Sequence, residues 1–114
     1  DIPKFCYFSK AALAALNYLD WVPDVVHCHD WQAALVPLYL RTCFADTNVG
    51  RASAVLTIHN LKFQGIYDRK MIQYWSGLPD YVFNKDCLTQ NWLDANMLKG
   101  GITYCNRLTT VSNT

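Results

Sequence analysis

Apolar residues recur at helical spacing along the first twenty positions. Phe5, Phe8, Ala12, Ala15 and Leu19 follow at steps of three or four, which predicts an amphipathic helix with those residues inward, ending near Trp21 and Pro23. The pattern then changes. "DVVHC", from Asp24, is short, β-branched and continuous, and "SAVLTIH", from Ser53, has the same character without clean alternation, so both read as parallel strands buried on both faces. Between them, Asp30 is placed to cap a helix by accepting its orphan N–H groups, and Pro37 to bend or loosen that helix. After the second strand, Gly65, Gly77 and Pro79 break the chain into turns, with one short helix around Asp68 to Trp75. Leu88, Trp92, Ala95, Ile102 and Cys105 restore helical spacing up to Asn106, a residue that tolerates a left-handed C-cap, and "RLTTVS" reads as a third strand.

Helices thus alternate with strands, with no internal repeat or low-complexity linker. That order predicts an α/β fold built on a parallel sheet. The opening helix has no strand before it and the last strand has no helix after it, so a piece of a larger domain is expected.

Composition narrows the reading. At 114 residues and 52% hydrophobic the chain can bury a core as one domain. Its net charge of +1, ten basic against nine acidic residues, is spread without a basic run, so neither nucleic acid nor an anionic membrane is an expected partner. The five cysteines are odd in number, widely spaced and free of a C-x-x-C pair, which points to reduced thiols and a cytoplasmic location. No apolar run approaches the roughly 20 residues of a membrane-spanning helix, and the opening "DIPKFCYFSK" lacks a charged region followed by an apolar one, so no membrane targeting is expected.

Candidate chemistry sits at the strand ends. In open α/β sheets ligands bind beyond the carboxyl ends of the strands. His29 and Asp30 end the first strand, His59 and Asn60 the second, and Thr110 and Ser112 the third. Alternation puts His27 and His29 on one face and Cys28 on the other, a spacing that permits two metal ligands. The metal-dependent hydrolase reading is weakened because Asp30 follows His29 directly, Trp31 comes next, and zinc would have to recruit Asp30 or a distant cysteine. His27, short of the strand end, is expected to be a buried imidazole satisfied by a neighbour. G-x-G-x-x-G, the P-loop lysine, G-x-S-x-G and H-E-x-x-H are all missing from the sequence. The glycine pair Gly100-Gly101 within a helix signals close packing. Trp75, Tyr81, Phe83 and Trp92 offer flat aromatic faces of the kind that suit the C–H surface of a sugar, although helical spacing assigns Trp92 to the core.

Four motifs in order, "PDVVHCHDWQAALVPLYL", "LTIHNLKFQG", "NMLKGGI" and "RLTTVSNT", resemble the N-terminal catalytic domain of bacterial glycogen synthases and plant starch synthases. The resemblance implies a Rossmann-like parallel sheet within one half of a two-domain GT-B glycosyltransferase, its C-terminal nucleotide-binding domain lying outside this chain. It implies transfer of glucose from ADP-glucose to the non-reducing end of an α-1,4-glucan with retention, and needs no metal or other cofactor. By motif it assigns His59 and Asp30 to the catalytic sugar site, with Asn60, Asn96 and His29 as substrate-binding residues. In that family an Arg, a Lys and a Glu of the second domain take part in holding the sugar and neutralising the diphosphate, so this chain alone is expected to be inactive. Cys105-Asn106 stands where Ala-Asp is common. The rival readings are a carbohydrate- or nucleotide-binding α/β module without catalysis and, behind it, the metal-dependent hydrolase.

Overall fold

The computed structural model describes residues 1–111. Helix α1 (Ile2–Tyr18) carries Pro in its first turn, where the missing N–H is not needed. It buries Ile2, Cys6, Ser9 and Leu13, while Phe8 and Leu19 of the expected inner face are 62% and 67% exposed. The helix is turned from its predicted face because it is apolar nearly all round and polar Ser9 interrupts the stripe that is actually buried.

β1 (Val25–His29) leads through a 3-10 turn (Trp31–Ala33) into α2 (Leu35–Arg41), so the expected single helix is split. Pro37 falls in the first turn of α2, and the break precedes it, at Ala34. A second 3-10 turn (Asn48–Arg51) feeds β2 (Ser53–Ile58). Both β1 and β5 (Arg107–Thr110) pair with β2 in parallel, giving a three-stranded sheet with β2 at its centre. Register aligns Cys28, Leu56 and Leu108 on one face, and His29, Thr57 and Thr109 on the other.

Leu56 and Cys28 join α2 residues Leu35, Leu38 and Leu40 in one buried cluster, with Met97 and Leu98 of α4 (Met97–Tyr104). Burial on both faces, expected for both strands, suits most of β2 but not β1. On β1, Val25, His27 and His29 are exposed because it is an edge strand and its second face is uncovered among the described residues.

The irregular stretch holds an antiparallel pair not foreseen from sequence, β3 (Ile66–Asp68) with β4 (Asp94–Asn96). The short helix expected around Asp68 is α3 (Arg69–Ser76); the Asp68 carboxylate accepts the Met71 N–H, and Gly77 ends the helix at φ 66°. The long helix expected from Leu88 does not form. Asn91 Oδ1 instead accepts the N–H groups of Leu93 and Asp94 in a turn, and Asn96 caps α4 through the Lys99 N–H. Trp92, assigned to the core by helical spacing, is 91% exposed at that turn. Asn106 is not left-handed either: α4 ends in extended backbone at Cys105 and Asn106 turns back to bond β2. The glycine pair is packed as expected, Gly100 against Leu88 and Leu38, Gly101 against Ala34.

No helix among the described residues is long and apolar enough to cross a membrane.

Candidate functional site at the strand ends

The parallel register brings His29 and His59 together because β1 and β2 end side by side. His29 Nδ1 lies 3.2 Å from His59 Nε2 in a hydrogen bond, and the His27 and His29 rings overlap with centroids 4.3 Å apart. His27 is satisfied as expected, its Nε2 being 2.6 Å from Thr57 Oγ1, but it is exposed rather than buried. Thr57 in turn bonds Thr109, so a polar line crosses all three strands on this face. The two threonines were not singled out from sequence; their signal, a Thr in each of two apolar strands, is too common to select them.

Asp30 does not cap a helix. Its side chain makes no capping bond, and Oδ1 accepts the His59 N–H at 2.7 Å. A charge-assisted bond therefore ties the ends of two strands, and the second carboxylate oxygen has no protein partner among the described residues. The Asp30 backbone sits at φ 61° and ψ −172°, a region that essentially only glycine occupies without cost, at about 1–3 kcal/mol for another residue. An aspartate kept there has its carboxylate aimed by the strained backbone.

Asn60 Oδ1 accepts the Lys62 N–H and starts the turn that returns the chain to the core. Gly65, at φ 69°, closes that turn against the Trp31 ring: a Cβ there would come 2.6 Å from Trp31 Cε3. Trp31 also packs edge-on to Phe5 with centroids 5.2 Å apart. The "HDW" and "FQG" motifs are thus two halves of one contact.

Asn96 lies apart from the histidine pair in its bonding. It is 5% exposed, its Oδ1 caps α4, and its amide N–H groups donate to Gln64 Oε1 at 2.8 Å and Gln90 Oε1 at 3.0 Å. It thereby fixes Gln64 and Gln90. Gln64, overlooked from sequence, shares a small cavity with Asn96, Leu61 and Lys99. Thr110 ends β5 at the same rim, and Ser112 lies outside the described residues.

No group of three His, Cys, Asp or Glu side chains among the described residues is arranged to hold a metal. Cys28, between the two histidines in sequence, points into the core, where burial foremost and then the neighbouring Cys105 push its thiol up to about 12. Burial likewise pushes Cys87 up to about 11. All five thiols are unpaired, and Cys43 is the exposed one. Two results follow for the folded protein. A thiol reagent at neutral pH should label Cys43 well before Cys28 or Cys87, as mass spectrometry of quenched aliquots would read. The unfolded chain begins to lose thiol protons near 9, whereas these two groups hold theirs to about 11 and 12, so stability present below pH 9 should fall as pH rises through that window. An unchanged urea midpoint between pH 8 and pH 10.5 would contradict it.

Facing imidazoles and a carboxylate oxygen offer donors and acceptors at hydroxyl spacing, on an open surface rather than in a cavity. A cavity of about 640 Å³ lies elsewhere, along α1, lined by Tyr7, Lys10, Ala11, Ala15, Tyr18 and Phe44, with no His or carboxylate among its walls.

Known proteins of one family are similar to this chain. A family model described as the starch synthase catalytic domain matches residues 1–114. A glycogen synthase of Lachnospira eligens is 51% identical over all of this chain and 24% of its own length. One from Thermotoga petrophila is 46% identical over 95% of this chain and 22% of its own. The solved catalytic domain of starch synthase IV from Arabidopsis thaliana, bound to ADP and acarbose, superposes with a TM-score of 0.89 at 34% identity, over 96% of this chain and 23% of that one. The chain spans about a quarter of the length of the relatives it matches.

Proposed function

The chain belongs to the starch synthase catalytic domain family, and we propose that it forms part of the sugar-binding half of a two-domain GT-B enzyme. In this reading the full-length protein moves glucose from ADP-glucose to the non-reducing end of an α-1,4-glucan with retention of configuration. The donor and glucan are its partners, together with a C-terminal nucleotide-binding domain of the same protein, and no metal or other cofactor takes part. The observation that carries the site assignment is the bond from the His59 N–H to Asp30 Oδ1, which places one imidazole and one carboxylate at adjacent strand ends.

His59 and Asp30 would hold the donor glucose through its hydroxyls. Transfer builds positive character on the sugar ring and negative charge on the departing diphosphate, so rigid placement of the ring lowers the barrier. The unpartnered Asp30 oxygen is the acceptor for one hydroxyl, and His29 sets the orientation of the His59 ring. Asn60 completes the rim. Asn96 acts as a positioning residue, holding Gln64 toward the substrate. Arg and Lys of the second domain would neutralise the diphosphate and a Glu there would help hold the sugar, which leaves the 114-residue chain by itself without turnover.

The test is transfer of labelled glucose from ADP-glucose to maltoheptaose by the full-length protein. His59→Ala should lower kcat about tenfold to a hundredfold, a loss of about 1.4–2.7 kcal/mol of transition-state stabilisation. Asp30→Asn should fall in the same range while keeping the strand-end bond. Full-rate transfer by a folded His59→Ala protein would remove the reading.

A further inference from the structure

We infer that Gln64 is a positioning residue for the strand-end cluster, tying the turn that carries His59 and Asn60 to the start of α4. The turn and the helix cap one another. Met97 N–H donates to Gly65 O and Leu98 N–H to Gln64 O, each at 3.0 Å, so backbone of the turn satisfies two of the orphan donors of α4. The next donor, Lys99 N–H, goes to Asn96 Oδ1 at 3.0 Å.

From that bond a line of amides runs toward the site. Asn96 Nδ2 donates to Gln64 Oε1 at 2.8 Å, and Gln64 Nε2 donates to Leu61 O at 2.9 Å, two residues after His59. The line has a single polarity. A helix N–H at its start can only donate and a carbonyl at its end can only accept, so neither amide can turn over without setting like atoms against each other. Asn96 is buried and also donates to Gln90 Oε1 at 3.0 Å, which leaves it no freedom to follow a moving turn. Bonds in such a line polarise one another, and losing one weakens the rest.

His59 and Asn60 therefore lie between two anchors. On one side the Asp30 carboxylate accepts the His59 N–H at 2.7 Å; on the other, Gln64 holds the Leu61 carbonyl. The Asp30 bond alone would leave the chain free to swing after His59, because the Asn60 side chain bonds only within the turn, to Lys62 N–H. With both anchors in place the His59 ring is kept at 3.2 Å from His29 Nδ1.

Three variants of the full-length protein cut this line at different points. Gln64→Met keeps the length of the side chain and removes both of its bonds. Gln64→Glu keeps the acceptor for Asn96 and removes the donor to Leu61 O, and Asn96→Asp keeps the cap on Lys99 N–H and removes the donor to Gln64. The imidazole nitrogen resonances of His29 and His59, read by NMR with isotope-labelled histidine, should shift in all three, because the bond between the two rings depends on where the turn holds His59. The kinetic effect rests on the proposed glucosyl transfer: kcat should drop about tenfold, as displacement of a reacting geometry does, with KM for maltoheptaose unchanged. The double variant Gln64→Glu with Asn96→Asp should be no slower than the worse of the two alone, since both cut one line. A side chain that only stabilised the fold would lower the thermal midpoint and leave the resonances and kcat where they were. Unmoved resonances, additive losses in the double variant, or parental kcat in Gln64→Met where His59→Ala is impaired would overturn the inference. If His59→Ala turns over at full rate while the resonances of Gln64→Met move, the sugar assignment fails and the positioning of His59 stands.

Discussion

Gly101→Ala is expected to destabilise the fold by about 3 kcal/mol, the upper end of what overpacking costs, although alanine is the better helix former by about 1 kcal/mol. The added Cβ would lie 2.6 Å from Ala34 O and 2.9 Å from Ala34 Cβ. Neither atom can retreat easily. Ala34 is fully buried, and its own N–H is bonded to Trp31 O at the joint between the 3-10 turn and α2. The neighbouring Gly100→Ala meets Leu88 Cδ2 at 2.5 Å, the free end of a side chain that can rotate, so its cost should be nearer 1 kcal/mol. Urea unfolding of the two variants checks both size and order. Equal stability of Gly101→Ala and the parent would mean that α4 and α2 are not packed backbone to backbone. The consequence reaches the site, because α4 starts at Asn96 and Trp31 packs under the turn that follows His59.

The parallel sheet and its polar rim were legible because each strand is a short apolar run that ends in a polar residue, and register follows from the chain order. His29, Asp30 and His59 meet where that reasoning put them. The bond between Asp30 and the His59 N–H was not legible, since an aspartate before a helix is far more often a cap; only the positive φ at Asp30 turns its carboxylate from the helix to the neighbouring strand. The buried face of α1 was misread for a different reason. Alanines and aromatics ring the helix, and packing against α2 and α3, which no single-helix periodicity contains, selects Ile2, Cys6, Ser9 and Leu13. From Leu88 to Asp94 helical spacing competed with asparagines that bond their own backbone, and the local bonds won. That contest is what leaves Trp92 in water.

Asn106→Ala should cost about 3 kcal/mol, and Asn106→Asp far less. One oxygen, Asn106 Oδ1, accepts both the Ala54 N–H and an Arg41 guanidinium N–H at 2.7 Å, while Arg41 also donates to Gly50 O and Ala52 O. Ala54 is fully buried at the start of the central strand, so deleting the acceptor strands its N–H, at about 1–3 kcal/mol, and removes a charged hydrogen bond from Arg41 worth about 1.5–3 kcal/mol. Shared geometry and partial replacement by water keep the sum below the total of the two. A carboxylate presents the same acceptor in the same place and adds charge attraction to Arg41. The check is denaturant unfolding of Asn106→Ala, Asn106→Asp and Arg41→Met, with the double variant Asn106→Ala and Arg41→Met closing a cycle. Coupling between the two positions should be positive, because the guanidinium loses part of its partner set once Asn106 is gone. Additive losses would mean that the Asn106 oxygen serves β2 alone and that α2 is joined to the sheet by its apolar contacts rather than through this bond.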